Sequence, residues 1–307
     1  MNKLVYEVVL ALLPVAFVIF LGWYAGYKKI IDNKHAESIA GYVMNFSFPA
    51  ALFVLTASSR PSEIFNGKFV LAFWIGLLGM NIIAFFIYKM RRFSLKESGM
   101  GSFTCSVPDM TFMGIPIFTS LFGVKSLIAI AIGNVCYGLI MVPVLTYFLN
   151  ETQEKQNILK IIKNFMTKPL IVAPCLGIIY SLLGLPFPDL LKNSLNLIGG
   201  TTSGVSLFTL GLIMSSYVIS ISNISIMNII IKNILHPLIM AFLVVIFGVK
   251  GVYAQEAILL CALPTATIST MFALKYKVLT EEIVSSTILG TIVSIVTLSI
   301  CMLILGL

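Results

Sequence analysis

Asp109 is the one carboxylate set deep in an apolar stretch of this chain, and it directly follows a proline, Pro108. An ionisable group at membrane depth costs at least about 2.5–3.5 kcal/mol on insertion scales, so it points to function by default. A second reading stays open: a carboxylate here can simply cap the helix that follows. Proline in mid-helix removes one backbone hydrogen bond and breaks the helix. The released N–H and C=O groups are tolerated at membrane depth only where protein or a water-filled cavity receives them. Gly114 and Pro116 follow Pro108, which is more disruption than a simple kink. A corresponding break is expected at Pro264, followed by Thr265, Thr267, Ser269 and Thr270. After each break a new half-helix presents its N-terminus near the bilayer midplane, where N–H groups and the helix dipole favour an anion.

The expected substrate contacts are therefore Pro108, Asp109, Met110 and Thr111 at the first break and Pro264, Thr265, Ala266 and Thr267 at the second. Asp109 is also the expected ion-coupling residue. Asn45 and Asn134, both mid-span amides, join the list, although interhelical hydrogen bonding explains such residues equally well. The hydroxyls after Pro264 either repair the broken backbone or touch ligand. His236, just before Pro237, reads as a satisfied packing histidine rather than a proton relay. No cofactor and no metal are expected. Two histidines, His35 and His236, with no His-Glu-x-x-His, argue against a membrane-embedded hydrolase. A nucleotide-binding Gly-x-x-x-x-Gly-Lys-Ser/Thr motif is missing, which argues against ATP-driven pumping. The five cysteines are dispersed in apolar stretches, unlike a disulfide framework or a metal cluster.

The elements that must position these residues are membrane helices. Of 307 residues, 59% are apolar and 10% charged. A typical soluble domain has about 25% charged residues. That excludes a soluble enzyme, a disordered chain and a secreted disulfide scaffold. The net charge of +8 is spread singly between apolar runs, so nucleic acid is not an expected partner. Charge-free stretches mark spans at Val8–Tyr27, Ser38–Ser59, Phe69–Tyr88, Ser126–Asn150, Pro169–Pro188 and Ile283–Leu307. The first is read as a retained span and not a cleaved signal peptide. Asn193–Ile231 must hold one helix, a turn at Ser215–Ser225 and the start of another, completed by Asn233–Val249. Ala257–Leu274 with its flanks, and Ser98–Val124 interrupted by Asp109, bring the total to ten.

Thirteen lysines and arginines fall in the loops joining spans 1-2, 3-4, 5-6 and 9-10, against six at the N-terminus and the other loops. The positive-inside bias then puts both termini outside. Lys232, about two turns into span 8, is expected to snorkel to the cytoplasmic interface. The connector Glu151–Lys168 carries Ile158, Leu159, Ile161, Ile162 and Phe165 between lysines, which suits a helix lying on the membrane surface. Gly22-x-x-x-Gly26 and Gly200-x-x-x-Gly204 read as packing seams. Cys105-Ser106-Val107-Pro108 and Cys261-Ala262-Leu263-Pro264 are shifted by 156 residues, and Pro14 and Pro174 by 160. Nearly equal shifts suggest a five-helix repeat, and an odd helix count forces the second copy to be inverted, as in many secondary transporters. The domains expected are 1-150, the first repeat; 151-168, a cytoplasmic connector; and 169-307, the inverted second repeat.

At these residues the sequence resembles the auxin efflux carrier family, which includes plant auxin exporters and bacterial malate and malonate carriers. The resemblance rests on Pro108-Asp109-Met110-Thr111-Phe112-Met113-Gly114-Ile115-Pro116 and on Ala262-Leu263-Pro264 with Phe272-Ala273, Tyr276 and Val278. Asn45 with Pro49, Leu207-Phe208-Thr209-Leu210-Gly211 and Lys168-Pro169-Leu170-Ile171 extend it over nearly the whole chain. It implies an all-α integral membrane protein of ten transmembrane helices in two inverted five-helix repeats, with helices 4 and 9 broken at prolines and crossing. It also implies elevator-like movement of a small carboxylate. Where plant members carry an asparagine that contacts the substrate carboxylate, this chain has Asp109, and the short connector resembles bacterial members.

The function expected is secondary active transport of a small malate- or malonate-like organic anion in the cell inner (plasma) membrane. Ionised Asp109 would repel a carboxylate substrate in a low-dielectric site, so symport with H+ is favoured. Na+ held by Asp109 and the carbonyls of the breaks is the rival, and no second carboxylate in the membrane region is seen to complete such a site. A channel or sensor on a transporter fold is the further alternative. A homodimer is compatible with these features.

Overall fold

The computed structural model describes residues 3–58, 66–149, 163, 166–184, 186–217 and 219–307, with backbone alone for 3–11. The 151-168 connector therefore lies almost wholly outside the described residues. The described residues form helices and no strands. In order they are α1 (Lys3–Tyr27), α2 (Asn33–Ser58), α3 (Gly67–Met90), α4 (Leu95–Ser106), α5 (Met110–Phe122) and α6 (Val124–Leu149). Then follow α7 (Pro169–Leu182), α8 (Asp189–Met214), α9 (Asn223–Ile246), α10 (Val252–Ala262), α11 (Thr267–Tyr276) and α12 (Thr280–Leu305).

Among the described residues, six helices, α2, α3, α6, α8, α9 and α12, are long and apolar enough to cross a membrane. α1 runs for 25 residues, and α5, α7 and α10 are shorter apolar helices. Where the chain is interrupted at Pro108 and Pro264, the pieces α4, α5, α10 and α11 are each shorter than a full crossing. At 1.5 Å per residue, a helix of 11 residues such as α10 covers roughly half of the ~30 Å hydrocarbon core.

Local chemistry sets the boundaries. Asn66 accepts the N–H of Phe69 at 3.1 Å to start α3. Ser94 and Glu97 form a reciprocal capping box at the head of α4, and Ser222 and Ser225 do the same for α9 after the expected turn. Four helices contain one widened π turn, at Val43–Ser47, Met110–Gly114, Tyr137–Met141 and Ile231–Leu235. Each ends two residues before a proline: Pro49, Pro116, Pro143 and Pro237. Proline lacks an N–H and crowds the carbonyl four residues back, so the ladder re-registers into a wider turn instead of stopping.

The helices pack in two groups. In the first, α1 lies along α8 and α2 along α7. A Cβ on Gly22 would reach 2.0 Å from the Phe208 carbonyl oxygen, and one on Gly211 would reach 1.9 Å from that of Ile19. Gly22 and Gly26 thus form the expected seam. Gly200 and Gly204 do not: Gly204 has open space, and Gly199 makes the close approach to Ala51 instead. The second group joins α3 to α4, α9 to α10, and α12 to α9 and α11. Its interior is polar as well as apolar. Tyr88 Oη donates to Asn228 Oδ1 at 2.6 Å, and Asn228 Nδ2 donates to Ser286 at 3.1 Å. α5 lies between the groups, against α8, α1 and α6. Large apolar side chains such as Leu238, Val245 and Ile304 face outward, where lipid would meet them.

Candidate functional site

The two breaks meet. α4 ends at Ser106 and the chain resumes helix at Met110; α10 ends at Ala262 and resumes at Thr267. The extended residues between them pair antiparallel at Pro108 and Thr265. Asp109 N–H donates to the Pro264 carbonyl at 2.9 Å, and Ala266 N–H donates to that of Val107 at 3.0 Å. Thr265 Oγ1 donates to the Thr104 carbonyl at 3.0 Å. Each break thus satisfies backbone groups that the other leaves open.

Asp109 sits at the centre, 2% exposed. Its Oδ1 accepts the N–H of Phe112 at 3.0 Å, so it does cap α5. Its Oδ2 accepts the hydroxyl of Thr267 at 3.0 Å, on the other break. The N–H groups of Met113 and Thr267 face the same carboxylate. Ala266, the cap position of α11, offers no side-chain acceptor. One carboxylate therefore serves the positive ends of both half-helices. The anion position that the sequence leaves for a ligand is taken by the protein's own Asp109.

The opposite ends of the break are served from elsewhere. Lys232 does not snorkel. It is fully buried, and its Nζ donates to the carbonyls of Cys261 and Leu263 at 2.7 Å each. An ammonium at the C-terminal end of α10 complements the dipole there and fills two carbonyls that the break exposes. His236, one turn along from Lys232, is buried with neither ring nitrogen hydrogen-bonded to protein, so it is not the satisfied histidine expected.

A cavity of about 250 Å³ opens against the crossing. Of the expected contacts, Pro108, Asp109, Met110, Thr111, Asn134, Ala266 and Thr267 line it. Pro264 and Thr265 build the crossing behind it. Asn45 is exposed, turns its amide back to the Gly41 carbonyl at 2.8 Å and is not among the residues that line the cavity. Asn134 similarly bonds to the Ile130 carbonyl at 3.0 Å but still lines the wall. Met44, Val107, Phe112 and Met271 make most of the remaining wall apolar, and Tyr137 adds a phenol. Glu37, at the mouth on α2, was not among the expected site residues. Among the described residues lining the cavity, Glu37 and Asp109 are the carboxylates and no lysine, arginine or histidine takes part. Glu256 on α10 is likewise a second buried carboxylate, 5% exposed, although it lines a different cavity beside Lys125 and Tyr253. Among the described residues no cluster of His, Cys, Asp and Glu could hold a metal ion, and all five cysteines are free thiols.

This arrangement places a cavity at the junction of two interrupted helices. The profile of a family described as membrane transport protein matches residues 7–302. An uncharacterized transporter of Escherichia coli K12, YfdV, is 24% identical over 294 residues, covering 92% of this chain and 94% of its own. Auxin efflux carrier component 5 of Arabidopsis thaliana is 22% identical over 336 residues, covering 95% and 94%. An uncharacterized transporter of Methanocaldococcus jannaschii, MJ1031, is 22% identical over 296 residues, covering 94% and 96%. The chain is a multi-pass membrane protein and belongs to the membrane transport protein family to which the auxin efflux carriers are related.

Proposed function

We propose that this protein is a secondary active transporter of a small organic acid, carried together with a proton on Asp109. The observation that carries the reading is the double role of Asp109, which lines the cavity while its carboxylate caps one half-helix through the Phe112 N–H and accepts the Thr267 hydroxyl in the first turn of the other. A substrate carboxylate entering beside it meets like charge in a water-poor site. A proton on Asp109 removes that repulsion and weakens its hold on the N–H groups, which the substrate carboxylate can then take. Sodium is disfavoured because the carbonyls of Cys261, Leu263, Pro264 and Val107 already accept protein donors, two of them from the Lys232 ammonium.

The wider reading follows the expectations above: ten crossings in two inverted repeats, 1-150 and 169-307, both termini outside, and elevator-type movement in the inner (plasma) membrane. The facing breaks and the two packing groups support it. Labelling of single cysteines introduced at Lys34 and Lys192 tests the orientation, with Lys34 reached from the cytoplasm and Lys192 from outside.

A second reading has one observation in its favour. With Glu37 and Asp109 as its charged lining, the cavity also suits an ammonium-bearing substrate such as an amino acid. Counterflow in proteoliposomes with labelled dicarboxylates and amino acids separates the two, and counterflow of any substrate separates a carrier from a channel. Asp109→Asn then tests coupling. Exchange should persist with its pH dependence lost, and uphill uptake should fail. Accumulation against a gradient with normal pH dependence would remove Asp109 from the coupling step, and uptake that needs Na+ but ignores a pH gradient would restore the sodium alternative.

A further inference from the structure

The crossing buries one carboxylate and one ammonium, and neither touches a group of opposite charge. Lys232 Nζ bonds to the carbonyls of Cys261 and Leu263, at 2.7 Å each. Asp109 bonds to the Phe112 N–H and the Thr267 hydroxyl, at 3.0 Å each. The two charges are linked through neighbouring peptide units. Lys232 holds the Leu263 carbonyl, and the next carbonyl, that of Pro264, accepts the Asp109 N–H at 2.9 Å. Cys105 on α4, Cys261 on α10 and Asp109 are the titratable groups whose charge reaches Lys232 from other segments, and His236 shares its own helix. Asp109 is the carboxylate among them. On the cavity side Asp109 has Tyr137 of α6 and Glu37 of α2 as neighbours in the lining. Glu37 is exposed, so solvent and salt screen its charge.

We propose that Lys232 is the fixed counter-charge of the transport cycle and limits the cargo to one net negative charge: a monocarboxylate, or the hydrogen form of a dicarboxylate. The proposal rests on the proton-coupled organic-acid reading and adds the charge of the cargo to it. With the cavity empty and Asp109 ionised, carboxylate and ammonium sum to zero. A proton on Asp109 leaves one positive charge, and one substrate carboxylate cancels it. Both forms that must pass through the hydrocarbon are then neutral overall, and a net charge there is expensive. A dianion would leave one negative charge uncompensated in a water-poor site. The ammonium travels with the crossing because it is bonded to the crossing's own carbonyls.

The test uses full-length protein. Unfolding temperatures are compared in mildly alkaline detergent solution, where Asp109 is ionised. Lys232→Gln keeps donors for the two carbonyls and removes the charge, which leaves Asp109 unbalanced. Adding Asp109→Asn should then raise the unfolding temperature, by roughly 2 °C or more. The same change in wild type or in Lys232→Arg should lower it or leave it unchanged. Folding of the double variant where Lys232→Gln alone fails to fold is the same rescue. Additive effects would overturn the counter-charge, because loss of hydrogen bonds alone gives no reversal of sign. A second measurement needs no variant. Uptake of labelled lactate and malonate into proteoliposomes, driven by a pH gradient, should not respond to a membrane potential set by potassium and valinomycin. Uptake that follows the potential overturns the single-charge limit. If neither acid is taken up yet the sign reversal is found, the counter-charge stands and the organic-acid reading fails.

Discussion

The two breaks look alike in sequence, each a small hydroxyl- or sulfur-bearing run ending in proline, yet opposite means satisfy them. At the first, compensation comes at the start of the second half-helix, where the adjacent Asp109 caps α5. At the second, it comes at the end of the first half-helix, where Lys232 holds the carbonyls of Cys261 and Leu263. A carboxylate stands at a positive dipole end and an ammonium at a negative one. The difference teaches that a proline break sets a requirement for partners without saying which end will receive a charge or from how far along the chain. Both charges are then buried within one junction, so each break depends on the other's helices.

Removing the ammonium should have the largest effect. Lys232→Met leaves two buried carbonyls without donors, at about 1–3 kcal/mol for each unsatisfied group. A fall in thermal unfolding temperature larger than that of any single change at the first break is expected, and an unchanged value would make the two breaks equivalent after all. Asp109→Ala comes next. It removes a cap worth about 0.5–2 kcal/mol together with the bond to Thr267, and proteolysis or thermal melting should report it. Thr265→Val removes one bond to the Thr104 carbonyl, so about 1 kcal/mol should be lost. Asp109→Asn should cost least, because asparagine caps as well as aspartate. A stability change comparable to Asp109→Ala would mean that the charge itself, rather than the cap, holds the crossing together.

Other parts of the molecule show the same division between what neighbours in sequence fix and what distant residues fix. The turn between α8 and α9 lies where the serine- and asparagine-rich run predicts it, since capping boxes are local. For Asn45 the sequence leaves ligand contact and a hydrogen bond within the protein equally open, and in the fold its amide bonds the Gly41 carbonyl four residues back. Glu37 lies just before the charge-free stretch that begins at Ser38. Its position at the cavity mouth depends on α2 lying next to the crossing, which no run of residues announces.

By itself, the sequence determined that this is a helical membrane protein interrupted at Pro108 and Pro264, that Asp109 is its exceptional carboxylate, and that the chain resembles a carrier family. These follow from hydropathy, from the missing proline N–H and from the cost of charge in hydrocarbon, all properties of single residues or short segments. The tertiary structure alone decided which atoms the crossing breaks pair, that Asp109 reaches from one half-helix to Thr267 on the other, and that Lys232 turns inward. Lys232 lies 29 and 31 residues from the carbonyls it holds. A charged side chain near a helix end can reach interface water or a buried acceptor, and only the packing of α9 against α10 put acceptors within its reach.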